Sequence, residues 1–111
     1  MAITTQRAEV QTTDGTQTPI WTSPTALTSG FIVYVFAEEP ATADQQIWAF
    51  HCGRSDNDNS VIQAALHAQA GDPGGSGWVV EIVEGTDALE VNVQGEAAHT
   101  INWVANIQRY D

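Results

Sequence analysis

Glu38 and Glu39 stand side by side, the arrangement from which an acid/base pair would first be sought. General acid/base work on one bond needs two carboxylates that converge, and neighbours along a strand point to opposite faces. His51 and Cys52 fail as a nucleophile–base dyad for the same reason, and no Gly-x-Ser-x-Gly elbow is present. His51, His67 and His99 lack the close spacings of a zinc site, and the single cysteine cannot supply the usual thiolates. The stretch Asp56–Ser60 opens like a calcium loop, with Asp56, Asp58 and Ser60 at alternating positions. Val61 then replaces the sixth-position glycine and His67 the twelfth-position glutamate, so a solvated turn is expected. GDPGGSG (71–77) is glycine-rich, but no lysine follows it to complete a phosphate cradle, and it reads as a mobile surface loop. Trp21, Trp48, Trp78 and Trp103 would make a sugar platform if two lay exposed together; their positions in strands favour the core or a subunit interface. The expectation is a non-enzymatic chain with no cofactor and no metal.

The elements that carry these residues are short and β-rich. Turn signals recur at Asp14-Gly15, Ser23-Pro24, Ser29-Gly30, 55–60, 71–77, 85–87 and Gly95, as in an antiparallel meander or sandwich. Leu89, Val91 and Val93 alternate with polar residues, as do Ile101, Trp103, Ala105 and Ile107, which gives each strand one buried face. GFIVYVFAEE (30–39) is apolar on both faces, the pattern of a central strand covered on both sides by a second sheet or by a neighbouring subunit. Propensity alone would make Ser60–Ala70 a short helix. The polar residues 1–10 read as an arm reaching away from the body.

Composition narrows the function. The 111 residues suffice for one domain. Charged residues make up only 15% and include no lysine, which suits a sandwich better than a helical bundle. The net charge of −11 repels a phosphate backbone and excludes nucleic acid as a direct partner. The longest apolar run, 31–37, is far too short for a membrane span, and the N-terminus lacks the pattern of a signal peptide. A lone Cys52 fits assembly in a reducing cytoplasm.

Two stretches carry a resemblance. TTDGTQTPIW (12–21) looks like the opening of small β-sandwich modules of tailed-phage virion proteins. The C-terminal run through Val91, Val93, Gly95, Ala97, Ile101, Trp103, Ala105 and Ile107 resembles the end of the same module. The resemblance implies an all-β, jelly-roll-like antiparallel β-sandwich in a single domain, with Ser60–Ala70 as a strand. It also implies a capsid decoration (cement) protein on the outer surface of the head, bound to the major capsid protein as a homotrimer. The alternatives are a tail or head-fibre component, or a carbohydrate-binding module for host adsorption. Arg7, one of three cations in an acidic chain, is the expected partner-facing contact.

Overall fold

The computed structural model describes residues 3–25, 28–55, 60–84 and 88–110; the side chains of 60–65 and 67 are outside the description. Its strands are β1 (Ile3–Thr12), β2 (Thr18–Thr22), β3 (Ser29–Glu39), β4 (Asp44–Ser55), β5 (Ser60–Gly71), β6 (Val79–Glu84), β7 (Leu89–Gln94) and β8 (Ile101–Tyr110). They form two antiparallel sheets, ordered β1-β8-β3-β4-β5 and β2-β7-β6, in a jelly-roll-like β-sandwich.

The period of two decides which faces meet. From β3, Phe31, Val33, Val35 and Ala37 point inward with at most 2% exposure, and β8 and β7 add Ile101, Trp103, Ala105, Ile107, Leu89, Val91 and Val93 at no more than 1%. Burial of such side chains contributes about 1.5–3 kcal/mol each before the entropy of ordering is set against it. Trp103 sits at the centre. Its ring stacks on Trp48 at 5.7 Å and leans on Trp78 at 6.2 Å, and its Nε1–H donates to Thr12 Oγ1 at 2.9 Å.

The opening motif folds much as its residues dictate. Asp14 Oδ1 accepts from the Thr16 N–H at 2.9 Å, which turns the chain into β2. Gly15 does so without a positive φ, so the aspartate side chain and not left-handed backbone makes this turn. Ile20 enters the core, while Trp21 is half-buried, packs edge-on against Phe31 at 5.6 Å and donates from Nε1 to Gln6 Oε1. Ser23 exchanges two hydrogen bonds with the Leu89 backbone and fastens the end of β2 to β7.

Three expectations are settled by pairing. Ser60–Gly71 is a strand, held against β4, and not a helix. Residues 3–10 do not reach away as an arm: with 11 and 12 they form edge strand β1, paired along its length with β8. An edge strand over a filled core needs few large apolar residues, and Ala8 and Val10 suffice to pack it. The loop 71–77 is tied down instead of mobile. It holds a single 3-10 turn at Pro73–Gly75, Gly75 is buried, and the Trp78 N–H donates to the Gly75 carbonyl.

Candidate functional site

Glu38 and Glu39 diverge as their adjacent positions require. Glu38 faces outward, and the side chain of Glu39 turns in to 7% exposure at one end of the sandwich. There Glu39 Oε2 lies 2.7 Å from His99 Nδ1, while His99 Nε2 is 3.9 Å from Glu96 Oε2. Two turns make the contact. The first follows β3, where the Thr42 and Ala43 N–H groups donate to the Glu39 carbonyl and Ala43 takes φ 61°; the second precedes β8, where Ala98 takes φ 64°. Left-handed backbone at a non-glycine residue costs about 1 kcal/mol or more, so both turns are held by their surroundings. Sixty residues separate the two partners, and no local spacing announces them. The pair clamps the β3–β4 and β7–β8 connections together, a structural task.

The His51–Cys52 pair is divided by the sheet. His51 is on the solvent face and Cys52 on the core face, 7% exposed, with burial pushing its thiol up to about 11. Such a group is protonated and inert at neutral pH. At pH 8 the folded chain should react with iodoacetamide roughly a hundredfold more slowly than the urea-unfolded chain, because the thiolate is the nucleophile and is scarcer by about that factor. Mass spectrometry of quenched samples measures both rates. Equal rates would place Cys52 on the surface.

Among the described residues no group of three His, Cys, Asp or Glu is arranged to hold a metal. Asp56–Asn59, and with them the calcium-like loop, fall outside the described residues, as does the His67 side chain. Trp48, Trp78 and Trp103 are 1–2% exposed and fill the core, and Trp21 is half-buried, so no two of them lie exposed side by side as a sugar platform needs. Asp72 does not cradle a phosphate either: its Oδ2 accepts from the Gln45 N–H at 2.8 Å and its carbonyl from Gln46 Nε2 at 2.6 Å.

Arg7 lies on the outward face of β1, its side chain 64% exposed and paired with Glu9 at 2.7 Å. An exposed pair of this kind stabilises by about 0–1 kcal/mol. The two sheets differ in what they show to solvent. The small sheet presents Glu81 and Glu90, whereas the middle of the large sheet presents Tyr34, Phe36 and Ile47 at 38–47% exposure. That apolar surface was only half foreseen: β3 was read as covered on both sides, and the three-stranded sheet covers one.

No protein-family model and no curated protein matches the sequence. Solved structures do share the fold. The tailspike protein of Acinetobacter baumannii phage AM24 superposes with a TM-score of 0.60 at 9% identity, over 97% of this chain and 26% of that one. The tailspike protein of Acinetobacter phage vB_ApiP_P1 superposes with a TM-score of 0.58 at 11% identity, over 91% of this chain and 20% of that one. The chain thus spans about a quarter and a fifth of the two tailspike chains it matches. This corrects the expected partner. The resemblance that implies capsid attachment covers head and tail modules alike, and both of these structures are tailspikes, so the major capsid protein is set aside as the partner. The β-sandwich seen in the sequence is the fold those tailspike segments share.

Proposed function

We propose that this chain is a structural module of a phage virion, placed in the tail apparatus that meets the host, and that it works by non-covalent assembly without catalysis. The observation that supports this most is the fold match running through nearly the whole chain while occupying only a segment of each tailspike. A module that recurs as one part of a larger fibre-like protein is suited to joining or spacing other parts. Fold likeness alone does not fix a role, and the chemistry of the surfaces bears on it as well. The titratable pair Glu39–His99 is spent on joining two turns, the thiol is buried, and three of the four tryptophans are in the core. What the described surface offers is broad sheet faces, suited to protein contact.

Gold-labelled antibody against the purified chain, applied to particles produced from the genome that encodes it, tests the placement. Label at the tail is the expected result. Label over the head would overturn the tail assignment, and particles free of the chain would overturn the virion reading as a whole.

A further inference from the structure

We infer that the outer face of the five-stranded sheet is the surface on which a second copy of this chain docks. An antiparallel sheet with one wet face shows polar residues there, and β1 and β8 keep that rule with Thr5, Gln11, Asn102 and Asn106. β3 and β4 break it. Phe36 is paired with Ile47 on one side and Val104 on the other, and Tyr34 lies opposite Ala49. The apolar row continues to Ala68 and Ala70 on β5. Exposed large side chains next to small ones give the face relief: a recess of about 340 Å³ opens at one end of it, its apolar side formed by Phe36, Ile47 and Ala70 and its polar side by Gln45, Gln46 and Asp72.

Size and charge identify the occupant. Five strands at about 4.8 Å spacing and 10–12 residues at about 3.4 Å rise give a face of roughly 800 Å², the area each partner buries in a stable interface of standard size. Its centre is apolar and its margins polar, the usual anatomy of such a contact. The chain carries −11, so two copies repel wherever carboxylates are brought together. On this face the outward positions of β3, β4 and β8 between Ile32 and Phe36, Ile47 and His51, and Val104 and Gln108 hold no carboxylate and no arginine. Arg7, Glu9, Glu38 and Asp72 stand at the margins. A basic partner would be met by acid, as the small sheet offers with Glu81 and Glu90. A neutral apolar sheet face instead matches another of its own kind, packed face to face as in any sandwich.

The inference does not depend on the tail assignment, and its test is separate. Sedimentation equilibrium of the whole chain across the micromolar range should show self-association that persists or strengthens as salt is raised, since screening relieves acidic repulsion while apolar contact is unaffected. Phe36→Glu and Ile47→Glu should each weaken association by at least about tenfold, the cost of removing an anchor near the centre of an interface. Far-UV circular dichroism checks that each variant is folded, and Tyr34→Glu on the same face replaces either one that is not. A wild-type chain that stays monomeric throughout that range, or association that these substitutions leave unchanged, would overturn the inference. A monomeric chain that still labels the tail would leave the proposed function standing.

Discussion

Trp103→Ala is expected to cost about 3–5 kcal/mol of folding stability, a large share of the roughly 5–15 kcal/mol that holds an ordinary domain together. The ring is 1% exposed and lies in register between Val10 of β1 and Ala37 of β3, so no solvent side exists toward which the site can relax. Three losses coincide there. Truncation leaves a cavity under Trp48 and Trp78, removes two aromatic contacts worth about 0.5–1.5 kcal/mol beyond area, and strips buried Thr12 of its hydrogen-bond donor. The Thr12 bond also fastens edge strand β1, so the loss should spread to the sheet edge. Urea unfolding followed by tryptophan fluorescence and circular dichroism measures the effect, with the midpoint falling and the slope unchanged. Trp103→Phe separates the terms, since it keeps most of the packing and gives up the N–H, for about 1–2 kcal/mol. An alanine variant that unfolds at the wild-type midpoint would mean that the ring lies outside the core.

Burial in the paired strands was legible because it rests on a local signal. Leu89 to Val93 and Ile101 to Ile107 alternate, and each apolar member is buried where the alternation places it. β1 was not legible. Ala8 and Val10 are only partly buried and Thr12 is polar; Gln6 and Thr12 are tied to the body by accepting indole N–H groups from Trp21 and Trp103. Those partners are remote in sequence, so β1 looked like a free arm. Ser60–Gly71 is the strand that the resemblance implies, where propensity alone would make a helix: β4 supplies a ladder that alanine-rich chain can join. In β3 the sequence spoke truly of two apolar faces, yet the single chain covers only one of them. Glu39 and His99 meet only after the sandwich has closed, and a pair set by topology leaves no spacing to find. The large-sheet surface is therefore the part of the functional reading that sequence and fold share, while the proposed tail placement rests on the fold likeness to tailspikes.

Gly71→Ala should be nearly as damaging as the tryptophan truncation, about 3 kcal/mol, although it adds only one methyl group. Gly71 ends β5 opposite Gln46, where the chain turns toward the Pro73–Gly75 segment. A Cβ built there falls 2.4 Å from the Gln45 carbonyl oxygen and 2.3 Å from Gln46 Cδ. Neither neighbour can give way at small cost. The Gln45 carbonyl accepts the Asp72 N–H at 2.8 Å, and the Gln45 N–H is itself held by Asp72 Oδ2. Gln46 is buried, with Nε2 bonded to the Asp72 carbonyl at 2.6 Å. Relief of the clash must pull this two-strand clasp apart and strand at least one buried polar group, which costs about 1–3 kcal/mol in addition to the strain. The damage should be local in origin and concentrated where β4 meets β5. Hydrogen exchange by NMR should therefore show protection lost first at Gln45, Gln46 and Asp72, with the midpoint of thermal unfolding falling by roughly 12–20 °C for a domain of this size. Gly30→Ala is the control, because a Cβ there meets nothing within 4 Å. Equal melting of the two variants would show that the β4–β5 clasp does not hold the chain as described.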